Sequence, residues 1–236
     1  GRNLAFRAAE AVFRHCGLSG GVRIELKKQI PAEAGLGGGS ADAAAVLRGL
    51  RALFALPLDD EALRELALPL GADVPFCVGG GTMLAEGIGE ALSPLPPLPP
   101  CHLVIVKPPC GSSTKAVYAA LSLKVLRPWE QPDARLLENA LRGQNVTLLG
   151  ASLQNALEKP ATELQPVLLD YRQFLTESGA AGAAMSGSGS AFFAVFPEAE
   201  RDKAEQCIAT GKKQFPAAAF FLCRPVSAEE VSASTI

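Results

Sequence analysis

Pro31-Ala32-Glu33-Ala34-Gly35-Leu36-Gly37-Gly38-Gly39-Ser40-Ala41-Asp42-Ala43-Ala44 is the stretch whose reading decides the rest of this chain. Glycines at 35, 37, 38 and 39 permit positive φ and close approach of a ligand to the backbone, so that successive amides can converge on an anion. The Ala- and Leu-rich run that follows predicts a long helix over residues 41–56, and the positive end of that helix would serve the same anion. A triphosphate held there would accept several charge-assisted hydrogen bonds of roughly 1.5–3 kcal/mol each. No GK[ST] follows, so the loop is not a Walker A motif, and the GxGxxG spacing of a dinucleotide fold is absent. A flexible connection would also be rich in glycine, but it would not need Pro31 at its entry and an Ala-rich helix at its exit.

Upstream, Leu4, Ala8, Val12 and Phe13 recur at helical spacing and predict a helix over residues 5–15. Val22, Ile24 and Leu26 alternate with Arg23 and Glu25, which predicts a half-buried strand over residues 22–26. Downstream, Asp59 and Asp60 begin a helix over residues 59–68, and glycines bound a strand within residues 79–87. Ser93-Pro94-Leu95-Pro96-Pro97-Leu98-Pro99-Pro100 cannot be helix or inner strand, because proline lacks the amide donor. The boundary between two lobes, residues 1–97 and 98–236, is placed there. Beyond it the pattern predicts strands over 103–106, 191–196 and 218–223, with helices over 114–121, 134–141, 165–178 and 198–210. Mixed elements in both halves and no internal repeat predict an α+β protein of two layered lobes.

Composition narrows the function. Apolar residues, 48% of the 236, are spread along the chain and form no run long enough to cross a bilayer, so no membrane partner is expected. With 22 Lys plus Arg against 24 Asp plus Glu, a nucleic acid partner is not expected either. Cys16, Cys77, Cys101, Cys110, Cys207 and Cys223 contain no CxxC pair and are expected to be reduced, which points to a cytoplasmic protein. His15 and His102 lie far apart without metal-ligand spacing, and no metal ligand is assigned. The first residue is not Met and no signal peptide precedes the first helix, so the chain is expected to begin inside a longer protein.

Three further stretches carry polar groups worth attention. Leu70-Gly71-Ala72-Asp73-Val74-Pro75-Phe76-Cys77 sets one carboxylate among apolar neighbours; a buried charge is costly, so Asp73 is expected to be partnered, functional, or a cap of the turn before Pro75. Gly182-Ala183-Ala184-Met185-Ser186-Gly187-Ser188-Gly189-Ser190-Ala191 reads as a hairpin connection or a ligand-facing turn. Lys107-Pro108-Pro109-Cys110-Gly111-Ser112-Ser113-Thr114-Lys115-Ala116-Val117-Tyr118 ends in an aromatic ring that is either core or free to stack.

The first of all these strings, P-x-x-x-G-L-G-G-G-S-x-D-A-A, is similar to the phosphate loop of the GHMP kinases, and G-A-D-V-P-F resembles that family's second signature. The resemblance runs from Asn3 to about Val226. It implies an α+β, two-lobed GHMP kinase fold, with an N-terminal lobe similar to ribosomal protein S5 domain 2, truncated here, and a ferredoxin-like C-terminal lobe. It implies ATP and Mg²⁺, with Pro31, Ala32, Glu33, Ala34, Gly35, Leu36, Gly37, Gly38, Gly39, Ser40 and Ala41 over the phosphates. Asn3, Leu4, Lys28 and Asp42 match adenine contacts, although Asp42 could equally be a helix-start residue. Asp73 matches the catalytic base, and Gly187, Ser188 and Gly189 match a third motif that reaches the active cleft.

The triple glycine followed by Ser and Asp resembles the branch acting on a cytidine diphosphate-linked methylerythritol in non-mevalonate isoprenoid synthesis; homoserine and mevalonate kinases more often show GLGSS. That branch would place Thr114 near the methylerythritol diphosphate and Tyr118 on the cytosine face, where stacking contributes about 1–3 kcal/mol. The implied activity is phosphoryl transfer to an alcohol of this small molecule, by a monomer or weak homodimer. One departure counts against it: the family's lysine, in a short motif of Lys and Asn near the N-terminus, has no match in this chain, so the chain alone is expected to lack one catalytic group. The alternatives that stay open are another GHMP kinase, acting on homoserine or a sugar, and a nucleotide-binding fragment without catalysis.

Overall fold

The structure, a computed structural model, describes residues 3–122 and 133–233 and divides into two units. The first takes the chain up to Ile30, then Gly37–Pro97, then the segment from Val226 onward; the second takes Pro31–Leu36 and Leu98–Pro225. The proline run is where the chain passes from one to the other. The division is not a single cut in sequence: six residues ahead of the triple glycine group with the second unit, and the C-terminal segment with the first.

In the first unit, α1 (Leu4–Cys16) is capped by Asn3, whose Oδ1 accepts the Ala5 amide at 2.9 Å, and is ended by Gly17 at φ 61°. Then come α2 (Gly38–Leu53), α3 (Asp60–Ala67) and α4 (Val74–Gly79). Asp59 Oδ1 caps α3 by accepting from Ala62 N at 2.9 Å. The strands β1 (Met83–Glu86) and β2 (Ala91–Pro94) make an antiparallel hairpin, in which Pro94 is tolerated because a two-stranded sheet is all edge. Ala8 and Val12 of α1, Ala43, Ala44, Leu47 and Leu50 of α2, Leu63 of α3 and Val78 of α4 close the core. The small alanines Ala8, Ala9, Ala43 and Ala44 are buried where α1 and α2 pack.

The strand expected over residues 22–26 is not formed. Val22 and Ile24 do pack against the core, whereas Leu26, the third apolar position of the alternation, is exposed. A strand also needs a ladder partner, and among the described residues none runs beside it.

In the second unit β3 (Cys101–Lys107) is followed by α5 (Thr114–Ser122), α6 (Ala134–Arg142), α7 (Val146–Ala151), α8 (Glu158–Leu164) and α9 (Leu168–Glu177). The hairpin of β4 (Gly182–Met185) and β5 (Phe192–Pro197), the helix α10 (Arg201–Gln214) and β6 (Ala219–Cys223) complete it. The sheet is antiparallel in the order β4-β5-β3-β6, the βαββαβ arrangement of ferredoxin-like domains. Central β3 pairs Val104 with Ala194 on one side and with Leu222 on the other. Val104, Val106, Phe192, Phe196, Leu168 and Leu175 are buried together. The helix expected from residue 165 begins at Leu168: Gln165 precedes Pro166 and sits at φ −138°, ψ 83°, the extended conformation a following proline enforces.

The last helix, α11 (Ala228–Ala233), returns to the first unit. Ser227 and Glu230 form a capping box: Glu230 N donates to Ser227 Oγ at 3.1 Å and Ser227 N to Glu230 Oε2 at 2.8 Å. Among the described residues no helix is long and apolar enough to cross a membrane.

In the second unit α7 and β4 approach backbone to backbone, and a Cβ added to Gly182 would lie 2.0 Å from the Gly150 carbonyl oxygen. Gly182→Val should therefore cost more than about 3 kcal/mol in chemical denaturation, since neither backbone can retreat without breaking the sheet. Gly21→Ala, whose Cβ would meet nothing within 4 Å, should stay within about 0.5 kcal/mol. Equal midpoints for the two variants would contradict the packing described.

Candidate functional site

The first half of the glycine-rich loop is held by the second unit. Ser112 N donates to Glu33 O at 3.2 Å and Ala191 N to Ala34 O at 3.0 Å. Ser186 Oγ donates to Gly35 O at 2.9 Å. Gly35, at φ +72°, lies so near the Ser186 carbonyl that a Cβ would come within 2.0 Å of its oxygen, so no other residue fits. Ala34 is buried, which makes this half of the loop a fixed structural part.

Residues 107–114 and 185–190 complete the same arrangement. Ser112 Oγ donates to Ser188 O at 2.6 Å, and the Thr114 and Ser188 hydroxyls are hydrogen-bonded at 2.8 Å. Ser190 Oγ donates to Cys110 O at 2.5 Å. Lys107 is buried and gives its ammonium to Pro108 O at 2.7 Å and Cys110 O at 2.8 Å, fixing the turn after β3. Gly187, Ser188, Gly189 and Thr114 therefore do come together, with Gly35 beside them. Tyr118, on α5, is 55% exposed while its neighbour Val117 is buried; the core reading of Tyr118 is excluded, and its ring is open to a ligand.

The second half of the loop belongs to the first unit. Gly37, at φ 64°, is the N-cap of α2 and offers no side chain to the helix. Ala41 N donates to Gly37 O at 2.9 Å, so the amides of Gly38, Gly39 and Ser40 are the open, electropositive end of a 16-residue helix. Gly38 is confined, since its Cβ would lie 2.9 Å from Ile30 Cγ2, whereas a Cβ on the exposed Gly39 would meet only Leu4 Cδ1 at 3.5 Å. Lys28 forms an ion pair with Asp42 and reaches Gly38 O at 3.3 Å. Of the expected adenine contacts, Leu4, Lys28 and Asp42 surround this helix start, but the Asn3 side chain is engaged as the cap of α1.

Asp73 corrects one expectation. Its carboxylate is exposed, because Val74, Pro75 and Val78 are the residues of α4 that turn inward. It precedes α4 without making a side-chain cap bond, so the capping explanation of this residue fails too. The position of α4 is set from α2: Arg48 Nη1 donates to Cys77 O at 2.6 Å and Val78 O at 3.1 Å, satisfying carbonyls at the end of the short helix. Burial lowers the Arg48 pKa from its usual value. Asp73 is thus a free carboxylate on a fixed helix start.

Sequence reasoning missed Asn155, Glu158 and Gln165, which brace this region. Gln165 Nε2 donates to Gly111 O at 2.8 Å. Within the first unit, the uncapped amides of Gly38, Gly39 and Ser40 suit the phosphates of ATP. No group of three or more His, Cys, Asp or Glu side chains is placed to hold a metal ion among the described residues, so these residues do not provide a protein cage for Mg²⁺.

Comparison with known proteins gives the family and the fold. The model for the GHMP kinases N terminal domain matches residues 3–81, and that for the GHMP kinases C terminal matches 134–215. The 4-diphosphocytidyl-2-C-methyl-D-erythritol kinase of Exiguobacterium sibiricum is 45% identical over 82% of this chain and 67% of its own length. That of Carboxydothermus hydrogenoformans is 45% identical over 85% of this chain and 69% of its own length. A crystal structure of 4-(cytidine 5'-diphospho)-2C-methyl-D-erythritol kinase is 41% identical, with a TM-score of 0.73 over 93% of this chain and 77% of that one. Homoserine kinase from Cytophaga hutchinsonii superposes at a TM-score of 0.83 over 96% of this chain and 78% of that one, but at 22% identity it speaks for the fold alone.

Burial, with the Asp73 charge behind it, pushes the Cys77 thiol up to about 11 from 9.0. Cys101, Cys207, Cys223 and Tyr171 are raised as well, each mainly by burial. An acid with a raised folded pKa contributes its full stability below its unfolded pKa and loses it as pH climbs towards the folded value. Urea midpoints should therefore fall steadily from pH 9 to 11, and Cys77→Ala should show a shallower fall. Parallel curves for the two proteins would remove Cys77 from the account.

Proposed function

The chain belongs to the GHMP kinase family, and from that premise we propose that it transfers the γ-phosphoryl group of ATP to the 2-hydroxyl of 4-diphosphocytidyl-2-C-methyl-D-erythritol. The observation behind this is the 45% identity to kinases of that name over more than four fifths of the chain. Six free thiols agree with a reducing, cytoplasmic setting.

Each candidate residue has a role that its surroundings support. The open amides of Gly38, Gly39 and Ser40 receive phosphate oxygens, with Gly35 and Gly37 giving the loop its left-handed turns. Lys28 and Asp42, bonded to each other, line the nucleotide side together with Leu4. Asp73 takes the proton from the acceptor hydroxyl; it is exposed and uncommitted to α4, which is what a base needs. Thr114, Ser188 and the glycines beside it hold the acceptor's polar groups, and Tyr118 stacks on its cytosine. Phosphoryl transfer has a loose transition state, so orientation of the hydroxyl and the charge-binding amides matter more than the basicity of Asp73. Lys28 does not replace the family's N-terminal lysine, because Asp42 already holds it.

Gly39→Ala tests the nucleotide end without disturbing the fold, since the new methyl meets only Leu4. It should weaken ATP binding about 10-fold or more in calorimetry, with an unchanged or higher thermal midpoint, because alanine is the better helix former. Unaltered affinity would take the helix start out of the site.

Asp73→Asn should lower kcat by about 10²–10⁴ in the product of the whole gene and leave ATP affinity as it was. A near-normal kcat would sink Asp73 as the base. A readout of ADP formation on the cytidyl substrate alone would suffice for the comparison.

A further inference from the structure

Between β4 and β5 the chain makes the turn of residues 186–191, closed by Ser186 N donating to Ala191 O at 2.9 Å and Gly189 N to Ser186 O at 2.9 Å. Two glycines with positive φ, Gly187 at 54° and Gly189 at 81°, make it intrinsically free to take other shapes. Something must therefore select the shape in which the Ser188 hydroxyl meets Thr114.

Besides the bonds made by Ser112, Ser186 and Ser190, two further side chains hold the turn: Asn155, in the connection between α7 and α8, and Glu158, the first residue of α8. Asn155 Nδ2 donates to both Met185 O and Gly187 O, each at 2.8 Å, so that one amide group ties together the carbonyls of the two residues that flank Ser186. Glu158 Oε2 accepts from Met185 N at 2.9 Å. The carboxylate is itself fixed, with Arg172 Nε donating to Glu158 Oε1 at 2.7 Å from α9. Asn155 is fixed as well: Leu157 N donates to its Oδ1 at 2.9 Å, and Glu158 N to its carbonyl at 3.0 Å. Every polar atom of these two side chains is thus engaged, and three of the four bonds they make to other segments end on Met185 or Gly187.

We infer that Asn155 and Glu158 are positioning residues for the acceptor substrate, acting through the turn of residues 186–191 and touching neither the substrate nor the reacting atoms. This rests on the assignment of Ser188 and Thr114 to the acceptor. Asn155 carries most of the effect, because an aspartate there would set a carboxylate oxygen against two carbonyl oxygens and expel the turn. Glu158→Gln is the milder change, since the amide oxygen still accepts from Met185 N while only the bond from Arg172 Nε is lost.

The test is steady-state kinetics on the whole gene product with Asn155→Ala, Asn155→Asp, Glu158→Gln, Ser188→Ala and the double variant Asn155→Ala/Ser188→Ala. Both Asn155 variants should raise KM for the cytidyl substrate about 10-fold or more, with Asp the worse, while the Kd for ATP stays within about 2-fold. Glu158→Gln should recover most of the wild-type KM. The double variant should be no worse than Ser188→Ala, because two residues acting through one group are not additive. A merely structural role would instead lower the thermal midpoint and the active fraction with KM unmoved, or multiply the two single effects, and either result overturns the inference. If the wild-type protein does not phosphorylate the cytidyl substrate, the failure lies with the proposed reaction and the ATP arm alone remains informative.

Discussion

A side chain at residue 35 would have its Cβ 2.0 Å from the Ser186 carbonyl oxygen, and much of the candidate site follows from that absence of space. Backbone lies directly on backbone there, so the loop has no freedom to slide, and the hydrogen bonds from Ser112, Ser186 and Ala191 to residues 33–35 fix its path. The same turn that blocks a side chain at residue 35 presents Ser188 to Thr114. Three segments distant in sequence are thereby reduced to one arrangement within the second unit. Glycine serves two purposes along the loop: at 35 it permits close packing, and at 37 it starts a helix while leaving the first amides without a side-chain cap.

That uncapped start explains why the loop is a plausible anion site in energetic terms. A helix of this length usually has its first amides satisfied by Ser, Thr, Asp or Asn at the N-cap; α1 and α3 are built that way, with Asn3 and Asp59. In α2 glycine occupies the position, and Lys28 bonds to Asp42 and the Gly38 carbonyl instead of filling the amide end. The cost of those open amides is offset once an anion accepts from them. Asp73 follows the same logic with the opposite charge: it stands before α4 without capping it, and Arg48 holds the helix from its other end.

Much of this was legible from residue order. The Ala- and Leu-rich run gave α2, the apolar run after the prolines gave β3, and Asp59 marked the start of α3 by its own chemistry. The strand over 22–26 was misread because alternation does not say whether a neighbouring strand exists. Asp73 was expected among buried neighbours because linear order does not say which face of a short helix turns inward. The elements α7, α8 and β4 were missed, being short and lacking a full period of pattern, and with them went Asn155 and Glu158. Their importance comes from backbone groups about 30 residues away, a carbonyl for Asn155 and an amide for Glu158, a pairing that only the folded sheet reveals.

The central claim is that phosphate moves from ATP to the cytidyl methylerythritol and not to the acceptors of related kinases. Phosphorus NMR of the whole gene product incubated with ATP and, in separate tubes, the cytidyl substrate, homoserine, mevalonate and galactose decides it. A new phosphomonoester signal should grow with ADP in the first tube alone. A phosphomonoester in any other tube without one in the first, or ADP unaccompanied by a phosphorylated acceptor in all four, would contradict it.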